Sequence, residues 1–101
     1  MAKGFDNSAV IGTVHPVAEV GHTTTGAVTC SVDGQSRQSG DLTQMIWSVP
    51  EIIATLSTLV TLQAGDIIMT GTPAGVGPIA RGQTCLCEIA GLSDASVTFE
   101  A

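Results

Sequence analysis

The chain is predicted to fold as a mixed β domain with one main helix, and three observations carry that expectation. Two β-rich runs flank an Asp33-Gly34 pair, a capped apolar stripe occupies residues 48–60, and two further alternating runs, 84–91 and 95–100, close the sequence. Strands dominate and one helix lies among them. The expected arrangement is therefore a mixed or antiparallel sheet of the β-sandwich class, curling around the helix's apolar face. With 101 residues there is material for one domain and a modest core.

Each element has a local reason. "AVIGTV" at 9–14 reads as a short strand closed by His15-Pro16, because the residue before a proline is pushed out of the helical region. "GAVTCSVDGQSRQSG" at 26–40 reads as a hairpin, since Asp33 and Gly34 both tolerate the positive φ of a two-residue turn. Val28, Cys30 and Val32 then share one face, and Thr29 and Ser31 take the other. "SVPEIIATLSTLV" opens with Ser48 and Glu51, a capping-box pair, with Pro50 in the first turn where its missing N–H costs nothing. Val49, Ile52, Ile53, Leu56, Leu59 and Val60 recur at helical spacing. The opposite positions, Ala54, Thr55, Ser57 and Thr58, carry no charge, which predicts that both faces are covered. "LQAGDIIMT" reads as a turn at Ala64-Gly65 and a strand at 66–70. The two closing strands are joined by a turn at 91–94.

Composition excludes several roles. Charged residues make up 12% of the chain, against about 25% in ordinary domains, so part of the surface is expected to lie under a partner or under more chain. Nine acidic residues against three basic ones, net −6, give no basic footprint for nucleic acid or for a membrane surface. "MAKGFDNSAV" has no apolar signal-peptide core, and no apolar run approaches the roughly 18 residues of a spanning helix. Three cysteines with no disulfide-framework spacing predict a reducing, cytoplasmic setting. Cys85 and Cys87 lie two apart and share a strand face; with His15 and His22 they could supply four zinc ligands. C-x-C alone is not a zinc spacing, and buried cysteines acting as small hydrophobes are the favoured reading.

"DIIMTGTPAGVGP" at 66–78 is the segment richest in chemistry. It lacks the lysine of a phosphate-binding G-x-x-x-x-G-K-[ST] loop. Its glycines, at 71, 75 and 77, do not match the dinucleotide spacing and no helical pattern follows. Pattern alone favours a wide turn between strands, since glycine and proline punctuate most loops. Against it, Thr70 and Thr72 flank Gly71, so two hydroxyls and accessible backbone N–H groups meet at a strand end, and Pro73 stiffens the segment. Lys3 beside Gly4 is one of only three basic side chains. Lys3, Arg37, Gln38, Asp41, Gln44 and Trp47 each also admit a surface or loop reading, and His22 has no neighbouring acid or nucleophile in sequence.

In order, "KGFDNSAVIG", "VDGQSRQSGDLTQMIWSVPEIIATLS", "LQAGDIIMTGTPAGVGP" and "GQTCLCEIAGL" resemble the C-terminal half of the fumarylacetoacetate hydrolase family, over residues 2–92. Among its members the resemblance is to the small acylpyruvate-cleaving ones, fumarylpyruvate and maleylpyruvate hydrolases. It implies a portion of that family's β-sandwich roll, forming a single partial domain over 1–101. It also implies a hydrolysis in which Mg²⁺ or Mn²⁺ holds a 2-oxo acid and a C–C bond breaks to release pyruvate. A chelated pyruvate enolate is a stabilised leaving group. By position, Lys3 matches the lysine that stabilises developing negative charge, with Gly4 in the same close-approach segment. Thr72 matches the threonine that contacts the substrate carboxylate, with Gly71 beside it, and Gln38 lies in the family's R-Q segment.

The chain also departs from the pattern. The family's metal ligands, an E-x-E pair and an aspartate, lie upstream of the lysine block, as do its water-activating histidine and glutamate. Here only Met1 and Ala2 precede Lys3, and no E-x-E occurs. After "AGL" the family continues with a basic, valine-rich strand, whereas "SDASVTFEA" is acidic. The expectation is a truncated family member that binds no metal alone, cleaves little, and dimerises to cover exposed edges. The alternatives are a non-catalytic small-carboxylate or interaction module, and a site restored by an upstream partner chain.

Overall fold

A computed structural model describes residues 5–100. Its elements in chain order are α1 (Val17–Val20), β1 (Ala27–Val32), β2 (Gln35–Asp41), a 3-10 turn (Leu42–Gln44), α2 (Val49–Ser57), β3 (Thr84–Ile89) and β4 (Ala95–Thr98). The four strands form one antiparallel sheet in the order β2-β1-β3-β4.

The hairpin forms as its turn residues require. Asp33 and Gly34 take φ of 48° and 80°, the two positive values of a type I′ turn. The turn is also tied to β3. The Asp33 N–H donates to the Thr84 carbonyl, and the Thr84 N–H donates to the Asp33 carboxylate, each at 2.9 Å. β1 then pairs with β3 in the register Val28↔Ile89, Cys30↔Cys87 and Val32↔Cys85. Val32 and Cys85, directly opposite each other, are the only buried apolar residues among those described.

One irregularity in the hairpin decides where the site lies. Cys30 pairs with Gln38, while Ser31 pairs with Ser36, so Arg37 is an extra residue bulged out of β2. Because strand side chains alternate, a single extra residue exchanges faces. Without it, Arg37 would stand opposite Cys30. With it, Gln38 joins Cys30 and Val28 on the face that the glycine loop crosses.

α2 starts where the sequence indicates. The Ser48 hydroxyl oxygen accepts from the Glu51 N–H at 3.3 Å, and Pro50 sits in the first turn. The pair is half a capping box: the Glu51 carboxylate accepts the Ser48 hydroxyl at 2.9 Å instead of a backbone N–H. A reciprocal box forms one element earlier. There Asp41 accepts from the Thr43 N–H and Gln44 accepts from the Asp41 N–H, both at 2.9 Å.

Three expectations differ from the structure. Segments 9–14 and 66–70 carry β-type residues but form no ladder among the described residues; a strand exists only where a second run offers hydrogen-bond partners. The former instead passes beside the start of β4, where a side chain at Gly12 would stand 3.2 Å from the Ala95 Cβ. The helix stops at Ser57, not Val60, and the sheet does not wrap it. No residue of α2 is buried, and Ile53 and Leu59 of the apolar stripe are 43% and 76% exposed. A helix satisfies its own backbone hydrogen bonds, so an apolar stripe shows which face wants cover without creating the cover. No helix of the described residues is long and apolar enough to cross a membrane.

Candidate functional site

The site is built where the loop 70–78 lies along β2. Two glycines make that approach possible. At Gly40 an added Cβ would stand 2.8 Å from the Gln44 Oε1 and 3.0 Å from the Pro73 Cβ, so only a bare backbone admits Pro73 there. Gly75 has φ 106°, and a Cβ on it would run into the Arg37 carbonyl oxygen. The bulged residue and the loop glycine are therefore fitted backbone to backbone. The Arg37 guanidinium also donates to the Pro78 carbonyl at 3.4 Å.

Gln38 is the anchor between sheet and loop. Its amide nitrogen donates to the Thr72 hydroxyl oxygen at 2.7 Å and to the Pro73 carbonyl at 2.7 Å. A carbonyl only accepts, which fixes the amide orientation. Thr72 accepts from Gln38, so its own proton is free to point outward as a donor. Thr72 borders two cavities. One, of about 810 Å³, is lined by Met45, Trp47, Thr70, Gly71 and Ala74 among others, and one of about 300 Å³ includes Cys30, Arg37, Gln38 and Gly77. An outward hydroxyl beside a side-chain-free glycine, on a loop stiffened by Pro73, can hold a carboxylate or a carbonyl oxygen.

Of the residues marked in the sequence, Gln38, Gly71 and Thr72 are brought together. Lys3 and Gly4 lie outside the described residues. Asp41 closes the β2 end of the larger cavity. Hydrogen bonds from the backbone and side chain of Thr43, and from the Gly26 N–H, hold its carboxyl below the ordinary range. His15 is engaged elsewhere: its Nε2 accepts from the Ser93 N–H at 3.0 Å and contacts the Ser93 hydroxyl at 3.0 Å.

Among the described residues no carboxylates gather for a hard cation. Among the described residues the one group of three or more His, Cys, Asp or Glu side chains close enough to share an ion is Cys30, Cys85 and Cys87. Mg²⁺ and Mn²⁺ prefer several oxygen ligands, so the described residues do not fit either ion. The thiols gather with one another and not with the histidines of the disfavoured zinc reading, and Cys87 is exposed where the favoured reading expected burial. Local reading also missed the bulge at Arg37, the fit of Gly75 and the Pro73 carbonyl. The bulge is a register shift within the hairpin, and the other two depend on loop and strand meeting across more than thirty positions of chain.

A family model described as "Fumarylacetoacetate (FAA) hydrolase C-terminal" matches residues 1–100. An oxaloacetate decarboxylase, mitochondrial, of Dictyostelium discoideum is 41% identical over 100 residues, covering 99% of this chain and 45% of that protein. A fumarylpyruvate hydrolase of Ralstonia sp. is 45% identical over 73 residues, covering 72% of this chain and 38% of that one. Among solved structures, fumarylpyruvate hydrolase from Pseudomonas aeruginosa in complex with Mn²⁺ and pyruvate superposes with a TM-score of 0.92 at 45% identity. That match covers 95% of this chain and 41% of the other. The chain thus spans less than half the length of these relatives.

Proposed function

The chain belongs to the fumarylacetoacetate hydrolase family, and on that premise we propose that it supplies the carboxylate-gripping wall of an acylpyruvate C–C bond hydrolase and turns over little or nothing alone. The observation that carries this reading is the Gln38 amide held 2.7 Å from both the Thr72 hydroxyl and the Pro73 carbonyl. Gln38 spends its donors on the loop, and Thr72 turns its hydroxyl proton to the ligand. Gly71 has no side chain to obstruct the approach, and nothing lies within 4 Å of where its Cβ would stand. A 2-oxo acid offers such a wall a carboxylate and an adjacent carbonyl. Fumarylpyruvate hydrolysis and oxaloacetate decarboxylation, the activities named for two relatives, share this feature: each breaks the C–C bond that leaves pyruvate as its enolate. Lys3, with Gly4 beside it, is assigned the stabilisation of that negative charge.

The described residues do not fit Mg²⁺ or Mn²⁺, so no step through a metal is assigned to this chain. The same observation favours the second reading, in which the loop binds a small carboxylate without catalysis. Titration with pyruvate, and loss of enol absorbance from a 3-acylpyruvate in Mg²⁺ or Mn²⁺, test both. Saturable pyruvate binding is expected, with little turnover. Thr72→Val is expected to weaken binding about tenfold or more, the worth of a hydrogen bond to a charged group, and Gln38→Leu to weaken it indirectly by releasing Thr72 and Pro73 from the sheet. Absence of pyruvate binding would sink the wall. Rapid turnover by the pure chain, abolished by Lys3→Ala, would overturn the proposal that it is nearly inactive alone.

A further inference from the structure

We propose that Cys30, Cys85 and Cys87 form a soft-metal site that binds a single Zn²⁺ through three thiolates, leaving the fourth corner of the tetrahedron to water. The proposal rests on the β1–β3 register and is independent of the carboxylate wall.

Pairing explains how three cysteines meet. Asp33 N–H donates to the Thr84 carbonyl and Ala90 N–H to the Ala27 carbonyl, so positions 27, 29 and 31 of β1, with Asp33 just beyond it, lie at hydrogen-bonded pairs. Cys30↔Cys87 and Val32↔Cys85 therefore fall at non-hydrogen-bonded pairs, where facing side chains approach most closely. Cys85 and Cys87 are two apart on one strand and share that face. The result is a triangle with all three Sγ atoms within 4.8 Å of one another, and Cys30 Sγ 3.3 Å from Cys85 Sγ. Zinc–thiolate bonds of about 2.3 Å at a tetrahedral centre require sulfurs about 3.8 Å apart. Small side-chain adjustments would close the triangle on one ion.

The close Cys30–Cys85 contact suits metal binding better than a disulfide between those two residues. The close sulfur contact joins Cys30 to Cys85, which are diagonal neighbours in the ladder. Diagonal positions have backbones about 7–8 Å apart, at or beyond the reach of an unstrained disulfide. Three sulfurs around a common point are instead what a thiophilic cation selects, and what Mg²⁺ and Mn²⁺ avoid. Burial raises all three thiol pKa values, with Arg37 acting in the opposite direction on Cys30. The metal must therefore displace protons, and affinity should climb by about tenfold per pH unit for each proton displaced.

The test uses the reduced, metal-free chain under anaerobic conditions. Zn²⁺ is titrated calorimetrically with proton release recorded, and Co²⁺ is titrated for the near-ultraviolet thiolate charge-transfer band. The expected result is a single site with that band and with proton release, unaffected by excess Mg²⁺. Cys87→Ser carries the test, because Cys87 is exposed and its replacement leaves Val32 and Cys85 packed. It is expected to remove the band and to weaken Zn²⁺ by more than about 100-fold, beyond the roughly 10–100-fold lost with an outer-shell partner. Cys30→Ser should do the same, with circular dichroism showing both variants folded. A His15→Gln/His22→Gln variant should bind as the parent does. Equal Zn²⁺ affinity in Cys87→Ser and the parent, or loss of binding in the histidine variant, would overturn the assignment.

Discussion

The β1–β3 face and helix α2 make an instructive pair, because both are apolar stripes with strong sequence signals and only one is packed. On the sheet, Val28, Cys30 and Val32 meet Ile89, Cys87 and Cys85 in turn, and Val32 is 2% exposed. On the helix, Val49 and Ile53 are more than two-fifths exposed although the stripe is equally regular. The difference lies in how each element satisfies its backbone. A strand must find a neighbour, and the neighbour brings side chains with it. A helix closes its hydrogen bonds within itself, so it can stand beside a fold without being packed into it. A nine-residue helix is marginal in isolation, however. Its stripe leaves an apolar face that the described residues do not cover.

The loop 71–78 belongs with the sheet in this comparison, and Gly75→Val should break it most severely. The residue holds φ 106° with its would-be Cβ against the Arg37 carbonyl. Strain of that kind costs about 1–3 kcal/mol, and the steric conflict adds to it. Thermal denaturation should show a loss of about 3 kcal/mol, or else a preserved sheet with pyruvate binding abolished because the loop has lifted from β2. Parent-like stability and binding would mean that the loop is not seated there.

A matched pair of truncations sharpens the comparison itself. Val32→Ala is expected to cost about 2 kcal/mol, the transfer and cavity terms for a buried valine. Ile53→Ala should cost well under about 1 kcal/mol in dilute solution, since the side chain already stands 43% exposed. Chemical denaturation over a range of protein concentrations decides what covers the helix. If Ile53→Ala becomes costly only as concentration rises, a second copy covers α2. If the two truncations cost the same at every concentration, the contrast between face and helix is wrong.

How much of this could be read from the sequence follows the same division. The Asp33-Gly34 turn, β1, β2, the start of α2 and the two closing strands were legible, because each is specified by neighbours within a few positions. Segments 9–14 and 66–70 had the right residue types but no ladder partner among the described residues, and residue type cannot supply one. For the Thr72 loop, pattern alone favoured a plain turn, and only the resemblance to a family raised it to a candidate site. The contact of Gln38 with Thr72 was not, because it requires Arg37 to bulge and Gln38 to change faces. Cys30 escaped for a related reason: joining it to Cys85 and Cys87 needs the β1–β3 register, set by a pairing across more than fifty residues. Glycines offered the one advance hint, since Gly40 and Gly75 interrupt runs where a side chain would otherwise have added packing or β propensity.

The smallest expected effect lies at the junction between the two regions, where β2 hands over to the 3-10 turn. Asp41 accepts from the Thr43 N–H at 2.9 Å and the Gly26 N–H at 3.3 Å, which favours its charged form and lowers its pKa from 3.8. A carboxyl whose pKa is lower in the folded than in the unfolded chain binds its proton less readily when folded. Its contribution is therefore complete at neutral pH and begins to fade as pH falls toward 3.8. It is gone once pH passes below the depressed folded value. The group is half-exposed at the cavity edge, so solvent screening keeps the effect small. Thermal melts of the parent and Asp41→Asn, run from neutral pH into the acid range, isolate it. Asparagine can still cap the turn but cannot titrate, so the two stability curves should converge as pH drops below about 4. A constant gap at every pH would mean that Asp41 acts through the shape of its cap and not through its charge.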